Sequence, residues 1–396
     1  MLNNSMGRRD FLSTMAVVAA ALGGAAHAQE AEQRFRACII GDTDHGGYGH
    51  NLHLLWALRD DIDVVGLADP HDQAREHYGK EANAQRLYAD YREMLATEKP
   101  GLVVIGPRWT INHKEYLLAC ATAGMHGIIE KPLAVDLAEA DEILNAAKVR
   151  RLKWAVAFNV RASPVVRHAH KLIVEGGLIG RVLELRGRGK EDARSGGEDL
   201  IVLGVHIFDL MRYFAGPPEW CEAEALVDGQ PATPADVREA TEPLGPVVGD
   251  TIHARYGFAD GVRGQFSSVK GAEGGGGRWG LDIYGTRGIV TIRMTPIPQV
   301  RLFASPNWTG DDSSSGWTSI PDEPAIDVGT SPVGHYKPIV DDLIESIQQD
   351  RDPFTDLLAG RNALEMYQAA FESVVSGGRV SIPLSRLDHP LKRWQG

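Results

Sequence analysis

Four groups of residues in this chain have types and spacings that can do chemistry. The apolar run Ala37 to Ile40 leads into Gly41-Asp42-Thr43-Asp44-His45-Gly46-Gly47-Tyr48-Gly49. A glycine-rich turn between a strand and a helix offers bare backbone amides to a phosphate, as a dinucleotide loop does. Gly41, Thr43, Gly46 and Gly47 fit that role in altered form: Thr43 stands where the middle glycine belongs, and Asp42 and Asp44 add negative charge. A ligand-free turn is the alternative. Asp69 closes the run IDVVGLADP, where a carboxylate meets ribose hydroxyls and repels a 2′-phosphate; this favours NAD, with NADP left open by His71 and Arg75. Glu130-Lys131-Pro132 ends the run IIEKPLA, at the carboxyl end of a strand, where ligands bind in open α/β sheets. The polar stretch Gly189 to Asp199, with Lys190 and Glu198 in it, can hydrogen-bond sugar hydroxyls, hold a carboxylate acid, or simply cap the following helix. No His/Cys/acid spacing suits a metal.

The elements that must position these groups alternate. Apolar runs at 35–40, 64–68, 102–105 and 127–129 read as strands, with helices at 50–58, 72–78 and 113–123 between them. Strands that are apolar throughout, such as LVVI at 102–105, belong to a parallel sheet covered on both faces, so residues 34–155 read as a doubly wound domain. Beyond it come a strand at 154–158, a helix at 164–175, a strand at 182–188 and a helix at 200–214. Strand runs at 220–227, 251–258, 262–269, 279–284, 288–293 and 299–303, separated by Gly, Pro and Asp, follow. They predict an α+β domain over 156–385 with a mostly antiparallel sheet, a long loop at 305–333, and helices at 337–348 and 357–376.

Length and charge narrow the classes. The chain has 396 residues and a net charge of −12, enough for two or three domains and unsuited to nonspecific nucleic-acid or anionic-membrane binding. Arg8-Arg9-Asp10-Phe11-Leu12, an apolar run at 14–26 and Ala26-His27-Ala28 resemble a twin-arginine export signal over residues 1–28. The apolar run is too short to span a bilayer. Its removal leaves a soluble, periplasmic chain of net charge −13, since it carries Arg8, Arg9 and Asp10. Cys38, Cys120 and Cys221 lie in apolar stretches and read as buried thiols.

Several motifs occur together and in order: EKP at 130–132, the preceding GPRWTINHKEYLLACATAGMHG, FNVRASPVVRHAHKLIVEGGLIG, the helix GVHIFDLMRYFAG and GGRVSIPL at 377–384. The combination resembles the Gfo/Idh/MocA family across most of residues 34–385. The resemblance implies an α/β fold: a Rossmann domain followed by an open-faced, mostly antiparallel α+β domain. A nicotinamide cofactor and a carbohydrate meet between them, and the open sheet face serves as a homo-oligomer surface. It makes Gly41, Thr43, Gly46, Gly47, Asp69, Pro107, His113, Glu130 and Lys131 cofactor residues, and Asn159, Arg161, Lys190 and Asp209 substrate residues. Lys131 would steady a developing alkoxide, with a cis peptide expected at Pro132, and His206 would take the hydroxyl proton. The family pattern places an Asp four residues before this His; here it is Val202, leaving Asp199, two helical turns from His206, as the replacement acid.

The implied activity is hydride transfer to or from a sugar, polyol or glycoside CH–OH. Because nicotinamide cofactors are scarce outside the cytoplasm, an exported enzyme would hold its NAD tightly. The alternatives are a redox-neutral glycoside hydrolase or epimerase acting through a transient keto-sugar, and a noncatalytic sugar-binding protein.

Overall fold

A computed structural model describes residues 34–272, 276–309 and 316–395. The expected export signal, residues 1–28, lies outside them. The first sheet contains β1 (Phe35–Ile40), β2 (Ile62–Ala68), β3 (Leu87–Tyr88), β4 (Leu102–Ile105), β5 (His126–Ile129) and β6 (Trp154–Val156). Its order is β3-β2-β1-β4-β5-β6, parallel throughout. The order reverses between β1 and β4, so the carboxyl ends of these two strands flank the crevice where such sheets take ligands.

The side-chain period of two divides β1 between two cores. Cys38 and Ile40 join a core that continues into the second domain, and Ala37 and Ile39 join one on the opposite face. Helices α1 (Asp72–Glu81), α2 (Tyr91–Glu98), α3 (His113–Thr122) and α4 (Leu137–Val149) connect the strands. The second and fourth escape the sequence reading; Asp90 and Asp136 cap them, accepting from Arg92 N at 2.7 Å and Glu139 N at 3.0 Å.

Three differences from the sequence expectation bear on the site. The segment after the glycine loop is a 3₁₀ helix, Leu52–Leu58, entered through Asn51 at φ 61°. The strand at 154–158 ends at Val156 and pairs with β5 as the sixth strand of the first sheet, while Phe158 leads into α5 (Asn159–Ala162). The helix expected at 200–214 is two helices, α7 (Gly197–Val202) and α8 (Gly204–Ala215), broken at Leu203. Between α5 and these, α6 (Pro164–His170) runs into a π turn at Lys171–Glu175.

The second sheet is built on β7 (Val182–Arg188). The other strands are β8 (Pro218–Val227), β9 (Gln230–Pro231), β12 (Thr251–Phe258), β13 (Arg263–Val269), β14 (Gly280–Gly285), β15 (Gly288–Arg293), β16 (Gln299–Phe303) and β17 (Val380–Ser381). Along its path β16-β15-β14-β7-β13-β12-β8-β17, with β9 beside β8, only the β7–β13 pairing is parallel. The expectation of an open, mostly antiparallel sheet holds. A separate ribbon, β10 (Arg238–Glu239) with β11 (Pro246–Val247), carries the turn that contains Glu242.

The chain then returns to its beginning. Helix α9 (Lys337–Gln349) buries Ile339, Val340, Leu343 and Ile344 against the first sheet's outer core, and α10 (Leu357–Ser376) packs against α8 and β8. A short α11 (Pro390–Gln395) follows. All three cysteines are buried and free. Among the described residues no helix is long and apolar enough to cross a membrane.

Candidate active site

The glycine loop borders two spaces. On one side a cleft of about 300 Å³ is lined by Gly41, Asp42, Asp69, Pro70, Ala89, Tyr91 and Arg92, among others. On the other a cavity of about 500 Å³ begins at His50 and Asn51 and reaches Lys131, Asn159, Lys190, Val202, His206, Glu242 and Trp279. The loop joins them through glycines at positive φ, with Gly46 at 97°, Gly47 at 65° and Gly49 at 57°. A Cβ on Gly49 would lie 2.7 Å from the Glu130 side chain, so only glycine lets the loop pass so close to the end of β5.

Asp69 is fully buried and already bonded. It accepts from Thr43 Oγ1 at 2.8 Å and from His71 N at 2.8 Å. Thr43 thus uses its hydroxyl to tie the loop to the carboxylate. Asp42 accepts from Tyr116 Oη at 2.6 Å and contacts His45 Nδ1 at 2.8 Å; its Oδ1 is buried without a partner. The Tyr48 ring stands where a Cβ on Gly41 would be. A cleft, bare glycines in the turn after β1 and a carboxylate at the end of β2 form a donor and acceptor set that suits the adenosine end of a dinucleotide. Asp69 keeps spare acceptor capacity on both oxygens, and the neighbouring cavity takes the other end.

Glu130 and Lys131 lie at the carboxyl end of β5, beside the crevice. Glu130 is fully buried. Burial alone would raise its pKa, but the His50 ring, the Lys131 charge and the Lys131 amide, at 2.6 Å, outweigh it and hold the carboxyl at about 2. Lys131 precedes a cis peptide to Pro132, as expected. Lys131 is 5% exposed, and burial lowers its pKa against the raising influence of Glu130 and Glu242. Lys131 Nζ donates to the carbonyl of Val202 at 2.9 Å. Val202 is the last residue of α7, where carbonyls have no partner within the helix and the helix end is negative. The residue that lacks the expected carboxylate therefore holds the lysine through its backbone.

His206, on α8, enters the same cavity from the second domain. It is 5% exposed, packed edge-on to Phe158 and Trp279 with centroids 5.6 and 6.0 Å away. Burial first, and then the charges of Lys131 and His50, push its pKa well below the usual histidine value. The imidazole is thus neutral at neutral pH, and its Nδ1 is buried without a hydrogen-bond partner.

The structure moves several sequence-predicted residues out of the site. Asp199 does not line the cavity. The break at Leu203 takes it off the His206 face, and its Oδ2 accepts from Ser268 Oγ at 2.7 Å and Glu191 N at 3.0 Å. Arg161 and Asp209 pair with each other at 2.7 Å beside a different hollow, with the Arg161 guanidinium over the Tyr213 ring. His113 is completely buried, contacting Pro107 O at 2.7 Å and Leu133 O at 3.2 Å. It fastens the loop after β4 to the chain beyond Pro132, and Pro107 serves as its anchor. Asn159 and Lys190 do reach the cavity.

Sequence reasoning gave no role to Glu242, Arg194, Arg108 or Trp279, which line the cavity. Glu242 projects from the β10–β11 turn, and Arg194 spans Asp192, at 2.6 Å, and Glu242, at 3.0 Å. Arg108 comes from the loop after β4, and Trp279 precedes β14. Only Arg194 lay in a stretch marked as polar; the others come from unrelated loops with no spacing to signal them. Glu198, considered above as a helix cap, is fully buried and accepts from Thr241 N at 3.0 Å and from Thr241 Oγ1. Its other oxygen pairs with Arg238 at 3.2 Å, so Glu198 fixes the turn that delivers Glu242.

Residues 35–158 match the model for the oxidoreductase family with an NAD-binding Rossmann fold, and residues 185–382 match that family's C-terminal α/β domain. The chain belongs to the Gfo/Idh/MocA family. Its Rossmann domain is of the NAD-binding kind. Levoglucosan dehydrogenase of Pseudarthrobacter phenanthrenivorans is 31% identical over 218 residues, 49% of this chain and 56% of that protein. Myo-inositol 2-dehydrogenase of Thermotoga maritima is 26% identical over 229 residues, 53% of this chain and 66% of that one. The matches thus span between about half and two thirds of these relatives. Among solved structures, levoglucosan dehydrogenase in complex with NADH and levoglucosan superposes with a TM-score of 0.71 at 21% identity, covering 89% of this chain and all of that one.

Proposed function

We propose that this chain is an NAD-dependent oxidoreductase that interconverts a CH–OH group and a carbonyl on a small carbohydrate or polyol. The observation that carries the reading is the meeting of Lys131, from the first domain, and His206, from the second, in one cavity beside the β1–β4 crevice. Gly41, Thr43, Gly46, Gly47 and Asp69 would hold the dinucleotide. Bound NAD supplies a hydride acceptor. Lys131 places its ammonium against the substrate oxygen, where negative charge develops, in a site dry enough to strengthen the interaction. The neutral His206 takes the hydroxyl proton. Asn159 and Lys190 face the same space and can bond further hydroxyls.

Absorbance at 340 nm tests the reading. A rise on adding sugars, polyols or sugar acids to protein with NAD supports it; no rise with any of them, in protein shown to bind NAD, overturns it. A redox-neutral variant of the same chemistry draws on Glu242, a carboxylate in the cavity where Val202 supplies none; it would change the sugar without net NADH.

The compartment belongs to this proposal as well. The sequence of residues 1–28 supports twin-arginine export to the periplasm, which carries folded protein and lets NAD be bound before crossing. Replacing Arg8 and Arg9 by lysine should leave the chain in the cytoplasm. The open face of the second sheet supports assembly into a homo-oligomer, to be checked by solution mass.

A further inference from the structure

The chain carries −12 overall, yet its cavity collects cations. Among the described residues lining it are Arg108, Lys131, Lys190 and Arg194, against one carboxylate, Glu242. Two more carboxylates stand directly behind: Asp192, which serves both Arg194 at 2.6 Å and Lys190 at 3.4 Å, and Glu130 beside Lys131. With Lys131 protonated, four cations face three carboxylates, and Glu130 is shared between Lys131 and the His50 ring, so the cavity holds at least one positive charge in excess.

The charges are not equally spent. Arg194 has donors committed to both oxygens of Asp192, at 3.2 and 2.6 Å, and to Glu242. Arg108 is different. Its nearest carboxylate oxygen, on Glu242, lies 3.9 Å away, beyond hydrogen-bond length, and its Nε is buried with no partner. The Arg108 side chain is 43% exposed, so its guanidinium can meet an arriving acceptor with donors that no carboxylate holds. Lys190, with its side chain 39% exposed, is loosely held across the same space.

We propose that the substrate of this site is a carbohydrate monocarboxylate, such as a uronic-acid glycoside, whose carboxylate is received by Arg108 with support from Lys190. The proposal rests on the carbohydrate reading above and names its substrate class. A planar carboxylate matches the guanidinium fork, which donates two parallel hydrogen bonds to it. The excess positive charge suits an anionic substrate, and a carboxylate presents its two oxygens in the plane that the fork offers. A cavity of about 500 Å³ falls in the size range of small-molecule sites and holds a monosaccharide unit with space to spare.

Calorimetric titration of the full chain, saturated with NADH, separates this proposal from the oxidoreductase reading because it measures binding and not turnover. The probes are methyl α-D-glucuronoside, methyl α-D-glucoside and its 6-phosphate, none of which has a free aldehyde to reduce. The uronoside should bind at least about tenfold more tightly than the glucoside, and the difference should shrink as salt rises. Arg108→Gln should abolish the preference while leaving glucoside affinity within about twofold, which also shows that the site is intact. Lys190→Gln should reduce the preference in part. Equal affinities, absent uronoside binding, tighter binding of the phosphate, or a preference that survives Arg108→Gln would each overturn the proposal. Failure of hydride transfer with a uronoside demonstrably bound would count against the oxidoreductase reading alone.

Discussion

Lys131 and His206 divide the work of one proton and one developing charge, and each is set for its part by burial. The His206 pKa is well below its usual value, so protonation of this base should not limit the rate near pH 6.5. The acid limb of kcat/KM should lie well below that. Val202→Asp places a carboxylate on the cavity wall, favours the imidazolium and should move the acid limb upward; an unmoved profile would show that residue 202 and His206 are not coupled. Asp199→Asn, in contrast, should affect stability through its Ser268 and Glu191 bonds more than the rate. The lysine and histidine were legible in the sequence because each sits in a local motif. Asp199 was misjudged because a continuous helix was assumed, and the break at Leu203 carries no signal strong enough to see beforehand. Arg108 and Glu242 were invisible as a pair, since 134 positions separate them in the sequence and only the fold brings them together.

At the scale of elements, the site depends on two pieces that hold others in place. The glycine loop is tied to β2 by the Thr43–Asp69 bond, so Asp69→Ala removes an acceptor for ribose and loosens the loop together. NADH affinity, read by fluorescence titration, should fall about tenfold or more. The β10–β11 turn hangs on Glu198. Glu198→Ala leaves the Thr241 amide and hydroxyl without their acceptor, and should cost on the order of 2–4 kcal/mol in urea unfolding. The strand–turn–helix series of the first domain could be read from apolar runs, and so could most strands of the second sheet. Helices α2 and α4 escaped that reading although Tyr91, Met94 and Leu95, and Leu137, Ala140, Ile143 and Ala147, fall at helical spacing behind the caps Asp90 and Asp136, because strands were the stronger signal in this stretch. The 3₁₀ form of 52–58 follows from backbone φ at Asn51 and the glycines, which hydropathy does not report.

Across the whole molecule, the two domains share one core and the chain crosses between them more than once. The sequence showed the order of domains but not the return of α9 to the first sheet, because an amphipathic helix does not reveal which surface it covers. Buried histidines in both halves make stability pH-dependent. His389, packed against Tyr367 and Phe371, has its pKa lowered to about 3 by burial and by Lys392 and Arg393. The unfolded chain binds its proton near pH 6.5 and the folded chain does not, so stability is full above that value and falls as pH drops towards 3. The melting temperature should decline between pH 7 and 5, and His389→Gln should flatten that part of the curve.

The meeting of Lys131 and His206 on one substrate carbon is the centre of this account, and single-turnover absorbance at 340 nm on protein preloaded with NAD tests it most directly. Lys131→Ala and His206→Ala should retain NAD binding and cooperative unfolding while slowing the rise after substrate addition, by about 10²- to 10⁴-fold for His206. A rise at the unmodified rate in both variants would contradict the account.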